Sequence, residues 1–160
     1  MTASGAVTRV LDEHGIAYEV LPHPSVDTAL AEARVLRIPP QEVAKTVILA
    51  RPGGYVRAVL PASERLDMHK VRDALDGEPL VRLATEDEIR TEYPEFELGA
   101  VPPFGGRGGD AVLVDARLRR RETVVMEAGA GDTSVRLRMG DLLGLLDQPL
   151  VVDICADDHR

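Results

Sequence analysis

The sequence predicts an α+β fold, with a mixed, largely antiparallel sheet curled into a barrel-like core and flanked by short helices. Two observations support this class. Strand-like runs mostly follow one another without helices between them, and the apolar residues of several other segments recur at helical spacing. The 160 residues, 44% of them apolar, are enough for one domain over 1–160 with a sizeable core.

Cap and turn residues bound the elements in the first half of the chain. Ser4 can cap a first helix that Gly15 ends. The pair Pro39-Pro40 ends a second helix, because proline interrupts helical hydrogen bonding. Pro52-Gly53-Gly54 is typical of a hairpin turn. The elements predicted here are helices over 4–14 and about 28–36, and strands over 16–21, 43–50 and 55–60.

Similar residues bound the elements of the second half. Asp67 can open a helix, and Thr85 with Glu88 has the spacing of a capping box. A loop rich in glycine and proline over 99–109 precedes a run of strands. The elements predicted here are helices over about 67–75, 85–93 and 141–146, and strands over 80–84, 111–118, 123–128, 134–139 and 150–154.

The charged and cysteine residues exclude several classes of protein. Of the 19 basic residues two are Lys and the other 17 are Arg, while 27 acidic residues bring the net charge to −8. That balance excludes a histone-like or polybasic nucleic-acid binder. The single Cys155 excludes a disulfide scaffold and fits a reducing cytoplasm. The four scattered histidines and the short apolar runs predict no metal, no other cofactor and no membrane partner.

Lys45 is the first candidate for a functional residue. Both faces of the predicted strand 43–50 are apolar apart from Lys45 and Thr46, so an ammonium group lies in or beside a core. Its stem can reach water at the sheet margin, or the ammonium can be a fixed cation that holds a phosphate or a polarised carbonyl oxygen. In a chain that otherwise uses Arg, a Lys favours the fixed point charge. Lys70 lies at a predicted helix start, where a solvated surface lysine needs no functional explanation.

The loop Gly99-Ala100-Val101-Pro102-Pro103-Phe104-Gly105 is the second candidate. Its prolines fix φ and its glycines allow close approach, so it can present backbone groups rigidly to a ligand. Alternatively it only connects a helix to a strand. His23, between two prolines, either faces a pocket or is a turn residue. No nucleophile elbow occurs, and Cys155 is expected to be a buried, inert thiol.

The segment 117–121 contains the only local basic cluster, Arg117-Leu118-Arg119-Arg120-Arg121. Two interpretations of this cluster remain open. It is either the solvated tip of a hairpin or a small patch that contacts phosphate.

Five motifs in order resemble the YbaK and prolyl-tRNA synthetase editing-domain family, whose members hydrolyse mischarged aminoacyl-tRNA. The likeness runs from about residue 15 to residue 155. The motifs are His23-Pro24-x-Val26-x-Thr28, Ala44-Lys45-Thr46-Val47-Ile48-Leu49, Leu66-Asp67-x-x-Lys70-Val71, Gly99-x-x-x-Pro103-Phe104-Gly105 and Gly140-Asp141-Leu142.

The resemblance implies roles for individual residues. Lys45 matches the functionally important strand lysine of the family. The segment 99–103 matches the loop whose backbone holds the aminoacyl moiety near the terminal adenosine. His23 and Thr28 match residues that help line the pocket, and the loop 129–134 lies where a variable specificity loop occurs. The family's reaction is assisted by a ribose hydroxyl of the substrate, so no nucleophilic triad is expected.

These considerations predict a freestanding trans-editing deacylase for tRNA that carries a small amino acid of the alanine, cysteine or serine class. A pocket floored by Ala100, Val101 and Pro102 would suit such a side chain. The expected partners are the tRNA acceptor end and, as a further candidate, an aminoacyl-tRNA synthetase. The alternative is a catalytically silent domain that binds an aminoacyl group or a synthetase. The acidic net charge predicts a small contact with tRNA.

Overall fold

The computed structural model describes residues 3–157, which form two β-sheets and six helices. Every predicted helix and strand is present within a few residues of its expected bounds. The elements in chain order are α1 (Ala3–Glu13), β1 (Tyr18–Pro22), α2 (Ala29–Leu36), β2 (Ala44–Arg51), β3 (Gly54–Pro61), α3 (Met68–Ala74), β4 (Arg82–Leu83), α4 (Glu86–Glu92), β5 (Ala111–Asp115), α5 (Ala116–Arg119), β6 (Thr123–Ala130), β7 (Thr133–Arg138), α6 (Met139–Leu145) and β8 (Leu150–Val152).

The α+β class is confirmed, but the strands divide between two sheets. A five-stranded sheet has the order β4-β2-β3-β5-β8, with β3, β5 and β8 parallel and the other neighbours antiparallel. A three-stranded sheet has the antiparallel order β1-β7-β6. A parallel bridge between Val43 and Val125 joins the two sheets. Neither sheet of residues 3–157 closes on itself, so the barrel-like core is not found.

Local sequence explains how the helices begin. The Thr28 hydroxyl accepts a hydrogen bond from the Ala31 amide and caps α2. Asp67 caps α3 in the same way. Thr85 and Glu88 form the complete capping box expected at α4. These short polar contacts satisfy amides that a helix leaves unpaired in its first turn.

The core fills both faces of the five-stranded sheet. One face packs against α1 and the three-stranded sheet, with Leu11, Val114 and Met126 among the buried residues. The other face packs against α3, with Leu49 and Val71 buried. This arrangement accounts for the nearly continuous apolar character of β2 and β3, since both of their faces are covered.

One strand is shorter than expected and changes the interpretation of the basic cluster. The strand predicted over 111–118 ends at Asp115, whose carboxylate accepts a hydrogen bond from the Arg117 amide at 2.9 Å and so begins α5. The same carboxylate accepts from the Ile154 amide at 2.9 Å and from Cys155 Sγ at 3.0 Å. Of the two interpretations of 117–121, the hairpin tip is therefore wrong, because this segment is a short helix and the turn after it.

Candidate functional site

A cavity that opens to solvent lies where β2, α2, β6 and the loop after α4 meet. It brings together Lys45 and the loop segment 99–102, two features that are more than fifty residues apart in the sequence. Pro103 borders a different pocket. The residues around the cavity are Ala29, Glu32, Ala44, Lys45, Thr46, Gly99, Ala100, Val101, Pro102, Met126 and Glu127.

Lys45 is half-buried in the wall of this cavity. Its Nζ donates a hydrogen bond to the Glu64 carbonyl oxygen at 2.7 Å. Burial lowers the pKa of the Lys45 ammonium, although the nearby Glu64 carboxylate opposes that shift. Within 3–157 no carboxylate forms an ion pair with it, so its charge is held in place without being neutralised by a contacting acid.

The loop wall offers backbone donors to the cavity. Gly99 has φ of +85°, a conformation that favours glycine. The Ala100 amide donates to the Glu97 carbonyl at 3.0 Å. The amides of Gly99 and Val101 have no acceptor in the described part of the chain. Gly99 is exposed and Val101 is buried, and both residues border the cavity, so their unpaired amides are the candidate donors of this loop to an anionic or carbonyl oxygen.

Arg57 holds the loop from the inside of the protein. It is only 2% exposed. Its guanidinium donates to the carbonyl oxygens of Pro102 at 2.9 Å, Gly105 at 2.7 Å and Arg107 at 3.1 Å, and to the Asp110 carboxylate at 3.1 Å. Four contacts from one planar group fix the course of the loop. Sequence reasoning missed Arg57, although a charged residue inside the apolar strand β3 was a detectable signal.

Two buried carboxyl groups also line the cavity, and sequence reasoning missed both. Glu32 is 0% exposed and Glu127 is 8% exposed. Burial raises the pKa of Glu32 to about 7. The pKa of Glu127 is raised to about 8, mainly by burial and secondly by the nearby Glu32 carboxyl. The Oε1 atom of Glu32 has no hydrogen-bond partner among residues 3–157. For Glu127 the signal was an acid within an apolar strand.

A chain of hydrogen bonds links Glu32 to His23. The Ser134 hydroxyl donates to Glu32 Oε2 at 2.5 Å, and His23 Nε2 lies 2.8 Å from the same hydroxyl. His23 Nδ1 must donate to the Pro24 carbonyl oxygen, 2.9 Å away. These contacts connect the buried Glu32 carboxyl to the segment before α2.

His23 and Thr28 do not border the cavity directly. Thr28 caps α2, the helix that carries Glu32, and His23 reaches the cavity through Ser134 and Glu32. Both residues therefore position the wall of the cavity from behind it.

The turn between β6 and β7 belongs to the loop 129–134 and ties two segments together. The Gly131 carbonyl accepts from the Val26 amide at 2.9 Å, and the Gly131 amide donates to Glu97 Oε1 at 2.9 Å. The His23 amide donates to the Asp132 carbonyl at 3.0 Å. This turn thus fixes the segment before α2 against the loop that walls the cavity.

The aminoacyl-tRNA editing domain model matches residues 23–145. The chain belongs to this family. A proline–tRNA ligase of Fervidobacterium nodosum is 31% identical over 85 residues, which are 53% of this chain and 14% of the ligase. The uncharacterized protein YwhH of Bacillus subtilis is 24% identical over 126 residues, 78% of each protein. A solved structure of a proposed trans-editing enzyme for prolyl-tRNA synthetase has a TM-score of 0.86, at 24% identity and 98% coverage of both chains.

The basic cluster of the editing domain is partly neutralised by its own acids. Arg117 pairs with Asp115 at 3.3 Å, and Arg121 lies 3.6 Å from a Glu42 carboxylate oxygen. Arg119 and Arg120 are exposed and contact no charged group in the described region. Only these two arginines of the cluster are therefore free to contact a phosphate.

Metal-binding clusters and membrane-spanning helices are both absent from the described residues. No group of three or more His, Cys, Asp or Glu side chains between residues 3 and 157 could hold a metal ion. No helix in the same region is long and apolar enough to cross a membrane.

Proposed function

We propose that this editing domain acts in trans as a deacylase that hydrolyses the ester bond of mischarged tRNA carrying a small amino acid of the alanine, cysteine or serine class. The observation that supports this proposal is one cavity bordered by both Lys45 and the backbone of 99–102. Family membership supplies the substrate class. The similarity to the solved structure of a proposed trans-editing enzyme supports action in trans.

The lining of the cavity favours a small side chain. Ala29, Ala44 and Ala100 form part of its wall, beside Val101 and Pro102. One methylene in an apolar pocket gives a synthetase only about 1–3 kcal/mol of discrimination between two amino acids. A synthetase that confuses amino acids of similar size therefore needs a second, smaller site that hydrolyses the wrong ester. A cavity that admits the wrong residue and excludes a larger correct one performs that selection.

The reaction needs no protein nucleophile. Water attacks the ester carbonyl carbon, the bond to the ribose oxygen breaks, and the ribose oxygen receives the proton that water loses. The amides of Gly99 and Val101 can stabilise the oxyanion that forms. As the family resemblance implies, a ribose hydroxyl assists the step and Lys45 holds a phosphate or orients the terminal adenosine. Cys155 is buried beside Asp115, which raises its pKa further and keeps the thiol unreactive.

The experiment that tests this function is deacylation of a panel of aminoacyl-tRNAs. The panel contains alanyl-, cysteinyl- and seryl-tRNA as small esters, with prolyl- and leucyl-tRNA as larger ones. We expect turnover of at least one small ester and none of the leucyl ester. Tight binding of a small ester without turnover would contradict deacylation and support the alternative, a catalytically silent domain that binds the aminoacyl group. Equal turnover of all five esters would contradict the size selection.

A further inference from the structure

Two buried carboxyl groups of the cavity have no basic partner among residues 3–157. Glu32 and Glu127 both border it, and neither forms an ion pair with a basic group of residues 3–157. Glu32 Oε1 accepts no hydrogen bond, and no residue of the described chain forms a hydrogen bond or ion pair with the Glu127 carboxyl. Lys45 shares the cavity, but its ammonium is bound to the Glu64 carbonyl. Two acceptor groups are therefore left for a ligand.

The surroundings of this pair favour a cation further. Asp27 and Glu97 add negative charge close enough to raise the pKa of Glu127. A metal ion does not fit, because the described acids and histidines include no metal-binding group of three. An ammonium group fits better, since its three N–H donors can satisfy several carboxylate oxygens at once.

We infer that Glu32 and Glu127 bind the α-ammonium group of the aminoacyl moiety and so select esters that carry a free amine. This inference rests on the proposed function and assigns its amine subsite. Gly99 and Val101 border the same cavity, and their amides, which have no acceptor in the described chain, can meet the ester carbonyl. The amine and the carbonyl of one small amino acid then have separate, complementary partners.

A bound ammonium requires ionised carboxylates as its hydrogen-bond acceptors. In the free domain the pKa values of Glu32 and Glu127 are raised to about 7 and about 8, so both groups lose protons when the cation arrives. Binding of the amine is therefore coupled to proton release.

The first test compares alanyl-tRNA with lactyl-tRNA, which has a hydroxyl in place of the amine. Each enzymatic rate is divided by the uncatalysed rate, because the two esters differ in intrinsic reactivity. If alanyl-tRNA is not the preferred small ester, seryl-tRNA and glyceryl-tRNA form the equivalent pair. We expect the wild-type domain to prefer the amine by at least about tenfold, which corresponds to about 1.4 kcal/mol.

The variants Glu127→Gln and Glu32→Gln should reduce that preference to less than about threefold. Glu122→Gln, a change of an exposed acid with no side-chain contact among residues 3–157, should leave it unchanged. Equal wild-type rates on both esters would overturn the inference. So would an equal loss of rate on both esters in the variants, because that result indicates a structural role for the carboxyls.

The second test does not depend on turnover. Binding of alaninamide and of lactamide to the wild-type domain is followed by two-dimensional NMR. We expect selective binding of alaninamide, weakened at least about fivefold in Glu127→Gln and unchanged in Glu122→Gln. The absence of a preference for alaninamide contradicts the amine site even where deacylation is observed. Selective binding by a domain that deacylates no tRNA would instead support the amine site and contradict the proposed function.

Discussion

The Arg57 guanidinium donates to the Pro102 carbonyl oxygen at 2.9 Å, and this bond joins the middle of the five-stranded sheet to the loop that walls the cavity. The same guanidinium pairs with Asp110, whose side chain is 3% exposed. Tyr93 closes this cluster, because its hydroxyl donates to Asp110 at 2.5 Å and its ring centroid lies 5.0 Å from the Arg57 guanidinium carbon. A rigid sheet residue thus positions a loop that has little regular structure.

Replacing Arg57 should therefore damage both stability and activity. Arg57→Ala leaves a buried Asp110 charge and three carbonyl oxygens without their partner, and should lower the free energy of unfolding by about 3–5 kcal/mol. Arg57→Lys retains the charge but loses the planar fork, so we expect less destabilisation with a clear loss of deacylation. Urea unfolding and single-turnover deacylation measure the two effects. Wild-type activity in Arg57→Lys would contradict a positioning role.

The turn at Gly131 should tolerate no larger residue. A Cβ atom at this position would lie 2.5 Å from the Val26 carbonyl oxygen, a backbone atom that cannot move without displacing the segment before α2. We expect Gly131→Ala to cost about 1–3 kcal/mol and to reduce deacylation. Gly108→Ala, with no atom within 4 Å of the new Cβ, is the matched control. Equal stability of the two variants, measured by thermal unfolding, would contradict this close packing.

The stability of the domain should fall as the pH rises from about 5 to about 8. In the native state the pKa values of Glu32 and Glu127 are about 7 and 8, against a usual value of 4.5. Across this window the native state retains protons that the unfolded chain has lost, so each group lowers stability by up to about 1.4 kcal/mol per pH unit. Urea unfolding should show a flatter profile for the double variant Glu32→Gln/Glu127→Gln. If the double variant keeps the wild-type slope of unfolding free energy against pH, these two carboxyls are not the cause of the pH dependence.

The sequence predicted the fold well where local interactions decide the structure. The capping box of Thr85 and Glu88 lies within four residues, and the hairpin at Pro52-Gly53-Gly54 within three, so neighbouring residues alone specify both features. The end of β5 was missed because Asp115 interacts with distant backbone, including the Ile154 amide. The division into two sheets likewise depends on pairings between remote strands.

The candidate site was predicted only in part, for a similar reason. The family resemblance assigned both Lys45 and the loop 99–103 to substrate binding, and Lys45 and 99–102 border one cavity. Glu32 looks like an ordinary exposed residue of a short helix, and only the packing of α2 against β6 and the contact with Ser134 bury it. Arg57 and Glu127 could have been found by the argument applied to Lys45, because each is a charged residue in an apolar strand.

The contact with tRNA should be small and should involve Arg119 and Arg120. These two exposed arginines are the members of the basic cluster without an ion pair to a described residue. Replacing both with Gln should reduce the slope of log K against log salt concentration by about two. Replacing Arg9 and Arg90, which lie on α1 and α4, should leave the slope unchanged. A wild-type slope typical of eight or more phosphate contacts would contradict the small contact.

The central claim, that Lys45 acts in a deacylating cavity, is tested most directly by single-turnover hydrolysis of the preferred mischarged tRNA. The chain provides a matched control in Lys70, its only other lysine, which is bound to Asp153 and Asp157 outside the cavity. We predict that Lys45→Ala lowers the rate at least about a hundredfold with little change in stability, and that Lys70→Ala retains the wild-type rate. Undiminished hydrolysis by Lys45→Ala would contradict the account.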